Sequence, residues 1–261
     1  MDILHRAAAL EALYDSAESF PQPKCHPETR AEILDDLYTW AVGQDFTSSI
    51  FWLYGPAGAG KSAIMQTLCR RLDHSRRLGG SFFFKRAHTT RGNAKVQFAT
   101  LAYQLALQNQ IFKDPISQAV EDCPSVIGRS LDVQLQELIV EPCQFLRTRP
   151  PTIQLSHFVE NFKPLIFLID GLDECEGQNI QQELLRLIGD AVLQNPRMLR
   201  ILIASRPEPH IREIFERPFA KPFSRNLIIA RAFADVEKYL KDEFSRIHHE
   251  HRETMGGIAT P

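Results

Sequence analysis

Apolar residues in this chain fall into two kinds of run. Short, nearly unbroken ones occur at 49–54, 81–85, 165–169, 199–204 and 226–229. Each is the length of a strand, and near-continuous apolar character suits a parallel strand covered on both faces. Between them lie segments whose apolar residues recur three and four apart, the helical period. Residues 2–18 carry Ile3, Leu4, Ala7, Leu10, Ala12 and Leu13 in this way, before Phe20-Pro21-Gln22-Pro23 ends the pattern. Residues 29–43 place Ile33, Leu34, Leu37 and Trp40 on one side, and 63–72 do the same with Ile64, Met65, Leu68 and Leu72. Residues 95–108 align Phe98, Leu101, Ala102, Leu105 and Ala106. Further helices are predicted over 178–194, near 209–216 and over 233–247. From 111 to 160 the pattern is helical, with breaks expected at Pro115, Pro124, Pro142 and Pro150-Pro151. Gly79-Gly80 is expected to be a turn, and the tail ending in Pro261 to be disordered.

Strands alternating with helices predict an α/β protein with a parallel, doubly wound sheet. The chemistry at the strand ends sharpens this. After the first strand comes Gly55-Pro56-Ala57-Gly58-Ala59-Gly60-Lys61-Ser62, followed by Ala63 at the start of a helix. This is the complete G-x-x-x-x-G-K-[ST] phosphate loop. Its glycines are expected to take positive φ and let the backbone approach a ligand closely. Successive N–H groups then form a concavity for a phosphate, reinforced by the helix N-terminus. Lys61 is placed to reach the terminal phosphates, and the Ser62 hydroxyl to ligate Mg2+.

The third strand runs into Asp170-Gly171-Leu172-Asp173-Glu174, at the strand end where open α/β sheets bind ligands. Asp170 is expected to hold Mg2+ together with Ser62. Glu174 is the first candidate to deprotonate or orient an attacking water, and Asp173 the second. Ser205-Arg206-Pro207 follows the fourth strand. If that strand lies between the first and third, Arg206 becomes a candidate sensor of the last phosphate.

Composition narrows the setting. The 261 residues are 44% hydrophobic and 24% charged, enough for a full α/β core. The net charge of −2 gives no general attraction to nucleic acid or anionic membranes, and neither is expected as a partner. Five cysteines without a C-x-x-C pair predict reduced thiols and a cytoplasmic setting. The acidic N-terminus does not read as a secretory signal, and no apolar run is long enough to span a bilayer. Neither the guanine-specific Asn-Lys-x-Asp motif nor the transporter signature Leu-Ser-Gly-Gly-Gln occurs.

Taken together, GPAGAGKS, LIFLIDGLDE and ILIASRP resemble the NACHT nucleotide-binding domain of the signal-transduction ATPases with numerous domains (STAND), a class that includes animal and fungal innate-immunity receptors. Cys25-His26-Pro27-Glu28-Thr29-Arg30 and the stretch GSFFFKR at 80–86 are similar to fungal members and to nephrocystin-3-like N-terminal domains. The resemblance covers roughly 24–232. It implies a phosphate-loop NTPase fold, a three-layer α/β/α sandwich with strand order 5-1-4-3-2. It also implies ATP or ADP with Mg2+ as ligands, and a switch in which ADP holds a closed state and ATP permits self-assembly or engagement of a signalling partner. By the same resemblance Lys61 and Ser62 bind phosphate and Mg2+, Asp170 binds Mg2+, Glu174 is the catalytic acid and Arg206 the sensor. Residues 27–30 would lie near the adenine. The expected organisation is an N-terminal helix and linker (1–23), the NTPase domain (24–232), and a helix with a tail (233–261), in place of the winged-helix and repeat regions of the receptors. A conventional phosphate-loop phosphotransferase or ATPase, or a non-catalytic nucleotide-binding scaffold, are the competing readings.

Overall fold

A computed structural model of the chain describes residues 1–19, 25, 29–148, 163–195, 197–217, 224–229 and 241–249. Among these, five strands form one all-parallel sheet: β1 (Ile50–Tyr54), β2 (Leu78–Phe83), β3 (Leu165–Asp170), β4 (Leu199–Ser205) and β5 (Ser224–Ile228). The order across the sheet is β2-β3-β4-β1-β5, which is the expected 5-1-4-3-2 read from the other edge. Each strand pairs in parallel with its neighbours.

Period-two alternation sends side chains to opposite faces of the sheet. Ile166, Leu168, Phe51, Leu53, Leu202 and Ala204 pack on one face with Leu34 and Leu37 of α2 (Ala31–Val42) and with Ile64, Leu68 and Leu72 of α3 (Lys61–His74). Leu165, Phe167, Ile169, Trp52, Ile201 and Ile203 serve the other face. There they meet α4 (Gln97–Gln108), α5 (Gln110–Asp122), α6 (Leu131–Leu135), α7 (Glu141–Thr148), α8 (Gln178–Gln194) and α9 (Pro209–Glu216). The three-layer α/β/α sandwich is therefore present, and the bounds of α8 and α9 agree with the periodicity.

Several expectations change. Residues 2–18 are not one helix: α1 (Asp2–Ala7) is followed by 3-10 turns at Leu10–Ala12 and Ala17–Ser19. The reason is competition for backbone donors. The N–H of Ala9 goes to Thr100 Oγ1 at 2.9 Å and that of Tyr14 to Ser81 Oγ at 3.2 Å, so this segment is drawn across β2 and α4. Gly79 and Gly80 are not a turn but part of β2. A Cβ on Gly79 would come 3.2 Å from the Phe167 ring, and one on Gly80 would come 3.3 Å from Leu101, so close packing selects glycine here. Pro115 lies inside α5, which keeps its path because Phe112, Ile116 and Val120 are fully buried. Pro142 lies in α7, just after a π-turn over Gln136–Val140. That wider turn relaxes the backbone at Leu138, whose carbonyl the proline ring would otherwise crowd. Pro124 does interrupt the helix. Pro150-Pro151, the residues expected near the adenine at 27 and 28, most of the last predicted helix and the tail lie outside the described residues, although 241–249 is helical.

Arg200 is the largest fully buried side chain among the described residues, in a strand read as apolar. Its guanidinium donates to the main-chain carbonyls of Trp40, Ala41 and Asp45 and packs against the Trp40 and Phe46 rings. It thereby supplies donors to the C-terminal carbonyls of α2, which have no intrahelical partner. Arg200→Ala is expected to destabilise the protein by roughly 3 kcal/mol, because it orphans buried acceptors as well as opening a cavity. Urea denaturation would measure this, and an unchanged midpoint would refute it.

Candidate nucleotide site

At the carboxyl edge of the sheet, β1 passes into the loop 55–60 and then directly into α3. Gly58 and Gly60 take positive φ, +75° and +87°, as expected. Gly55 does not; a Cβ there would come 2.6 Å from the carbonyl oxygen of Ile229, so close backbone approach is what requires glycine at that position. Gly60 is the N-cap of α3 and no side chain caps the helix. The first-turn N–H groups of Lys61, Ser62 and Ala63 therefore have no intrahelical acceptor and carry the positive end of the helix dipole. Pro56, Ala57 and Ala59 complete the loop, which closes through the N–H of Ala59 on the carbonyl of Pro56 at 3.3 Å. Lys61 Nζ donates to the carbonyls of Gly55 and Pro56 at 2.8 and 2.9 Å. Its charge is held inside the loop, where burial lowers its pKa and Asp173, Asp170 and Glu174 counteract that shift. This arrangement fits a phosphate chain, with unpaired amides at a helix N-terminus and one cation among carboxylates.

β3 delivers the carboxylates. Asp170 is buried and hydrogen-bonded to the Ser62 side chain. Burial pushes its carboxyl up to about 7, with the Ser62 bond and Lys61 working the other way. A buried carboxylate joined to the phosphate-loop hydroxyl is an oxygen pair that could hold Mg2+. Gly171 turns the chain at φ +70°, and a Cβ there would come 3.2 Å from the carbonyl oxygen of Phe84. The turn sends Asp173 and Glu174 in different directions. Glu174 Oε2 accepts the main-chain N–H of Arg86 at 3.1 Å. Asp173 is buried and accepts the main-chain N–H of Arg206 at 2.9 Å. β4 lies between β1 and β3, which is the condition set for bringing Arg206 to this edge.

The loops after β1, β3 and β4 thus bring Lys61, Ser62, Asp170, Asp173, Glu174 and Arg206 together. Two residues contribute in ways the sequence did not indicate, one of them, Arg30, in the 27–30 stretch expected near the adenine. Arg86 supports the acid loop, with its Nη2 also on the carbonyl of Asp173 at 3.3 Å. Arg30, at φ +62°, donates from Nη2 to the carbonyl of Ala59 at 3.2 Å. Arg86 acts through its backbone N–H as well as its guanidinium, and a backbone contact leaves no residue signature. For Arg30, the only hint was its place at the end of Pro27-Glu28-Thr29-Arg30.

Among the described residues no helix is long and apolar enough to cross a membrane. No curated protein matches the chain. Solved structures of Drosophila ORC bound to GC-rich DNA and Cdc6 are 14% identical over 81% of this chain, with a TM-score of 0.49. Those of Drosophila ORC bound to DNA are 14% identical over 92% of it, with a TM-score of 0.46. The chain spans only 30% and 32% of the chains it matches there, and at this level the likeness says nothing about ligands. Residues 28–206, which carry the phosphate loop, the acid loop and Arg206, match the family model described as Nephrocystin 3, N-terminal, and the chain belongs to this family of NACHT-like phosphate-loop NTPase domains.

Proposed function

We propose that this chain is an ATP/ADP-binding switch domain that depends on Mg2+, hydrolyses ATP slowly, and acts within a cytoplasmic signalling protein. The observation that carries this reading is the uncapped N-terminus of α3, which begins with Lys61 and whose Ser62 is hydrogen-bonded to the buried Asp170. In this reading the amides of Gly58 to Ala63 and the Lys61 ammonium hold the phosphates. Ser62 and Asp170 hold Mg2+, which would neutralise charge on the phosphate oxygens. Glu174 is the general base: Arg86 fixes Oε2 and leaves Oε1 to accept a proton from water. Arg206 senses the last phosphate, and the ATP-bound form engages a second copy or a signalling partner.

A phosphotransferase would need a lid with arginines for its acceptor; in the polar loop 86–93, Arg86 instead donates to the carbonyl of Asp173 and Arg91 to that of Phe83. The test is titration calorimetry of ATP and ADP with Mg2+ on this chain, together with single-turnover hydrolysis. Binding of both nucleotides with slow turnover supports the switch. Rapid multiple turnover would favour a conventional enzyme, and no binding would reject the reading. Glu174→Gln is expected to retain nucleotide affinity while hydrolysis falls roughly a hundredfold, the usual scale for a general base. Unchanged turnover would remove Glu174 from that role.

A further inference from the structure

Asp173 and Glu174 are neighbours with opposite surroundings. The Asp173 side chain is only 3% exposed, whereas that of Arg206 is 40% exposed. Both carboxylate oxygens of Asp173 address Arg206: Oδ1 accepts its main-chain N–H at 2.9 Å, and Oδ2 lies 3.4 Å from its Nε. Oδ2 is buried and has no hydrogen-bond partner among the described residues, so the guanidinium is its compensating charge. The Asp173 main chain is fixed as well, its carbonyl accepting from Gln181 Nε2 at 3.4 Å and Arg86 Nη2 at 3.3 Å. A carboxylate enclosed in this way is badly placed to take a proton from water. It is well placed to hold an arginine.

The manner of holding matters. A guanidinium has one donor at Nε and four on its two terminal nitrogens, arranged in a rigid plane. Asp173 uses the main chain and the Nε edge. The side chain is 40% exposed, and neither contact with Asp173 uses the two terminal nitrogens; the charges of Arg206, Asp170, Asp173 and Glu174 all act on Lys61. We propose that Asp173 is a positioning residue that grips Arg206 from behind and so presents its two terminal nitrogens to the third phosphate of a nucleoside triphosphate. Discrimination between triphosphate and diphosphate then depends on Asp173, through an arginine ordered before the nucleotide arrives. This rests on the reading of the site as a nucleotide switch and assigns Asp173 a task separate from catalysis.

The experiment measures the affinities of a non-hydrolysable ATP analogue and of ADP, each with Mg2+, and takes their ratio. Arg206→Gln and Asp173→Asn are each expected to lower the preference for the triphosphate at least fivefold, with ADP affinity changing less than twofold. Asparagine keeps an acceptor for the Arg206 N–H but carries no charge. Because the two residues act as one unit, the double variant should be no worse than Arg206→Gln. If Asp173→Asn shows no cooperative melting transition, Asp173→Ser, which also keeps an acceptor, replaces it in the comparison. Wild-type preference in Arg206→Gln, wild-type preference in the Asp173 variant with turnover lost, or additive losses in the double variant would each overturn the assignment. A wild-type chain that binds neither nucleotide would overturn the switch reading beneath it, a result distinct from unchanged discrimination.

Discussion

Lys61→Ala is expected to weaken the binding of both ATP and ADP by two to three orders of magnitude. The ammonium is held inside the phosphate loop, where it bridges the carbonyls of Gly55 and Pro56. Asp170, Asp173 and Glu174 all act on it. Without Lys61, phosphates entering the loop would face three carboxylates with only backbone dipoles and Arg206 to offset them. Truncating one member of a hydrogen-bonded charge pair in a partly buried site costs about 2–5 kcal/mol, and 4 kcal/mol is roughly a thousandfold. The loop backbone is set by Gly58 and Gly60, and α3 by Ile64, Leu68 and Leu72 in the core, so the variant should fold. Calorimetry with thermal melts as a folding control checks this. Near-wild-type affinity in a folded variant would remove the central assignment.

Asp170→Asn is expected to stabilise the nucleotide-free protein at pH 8 and to abolish Mg2+-dependent stabilisation by nucleotide. Burial pushes the Asp170 carboxyl from 3.8 to about 7. The folded chain therefore holds this proton more tightly than the unfolded chain. Below about pH 4 both states are protonated and the carboxyl costs nothing. Between about pH 4 and 7 the unfolded chain ionises first and stability falls. Above pH 7 both are ionised, and the full cost, on the order of 4 kcal/mol, persists. Asparagine removes that cost, so the variant should melt several degrees above wild type at pH 8 and close to it at pH 4. Parallel melts at both pH values, with and without Mg2+ and ADP, would check this. A difference independent of pH, or Mg2+-dependent stabilisation retained by the variant, would contradict it.

Much of the site was legible because each phosphate-loop residue has a local mechanical task at fixed spacing, and Asp170-Gly171 ends an unmistakably buried strand. The strand order came from family resemblance, not from periodicity, which says nothing about which strands pair. What stayed hidden depends on distant loops meeting. Arg206 finds Asp173 across 33 positions, and the Arg86 amide finds Glu174 across 88. Similar logic explains Gly79-Gly80 and Arg200. Two glycines read as a turn until Phe167 and Leu101 are seen pressing on them, and an arginine in an apolar strand has no meaning until the end of α2 arrives above it.

α2 is tied at both ends. Arg30 fastens its start to Ala59 in the phosphate loop, and Arg200 grips its final carbonyls beside the opposite edge of the sheet. Its 12 residues make a rod about 18 Å long. Filling the loop and shifting Ala59 would pull on one end of that rod. The displacement would then arrive, mechanically and without any ligand there, at the carbonyls that Arg200 holds at the other end of α2.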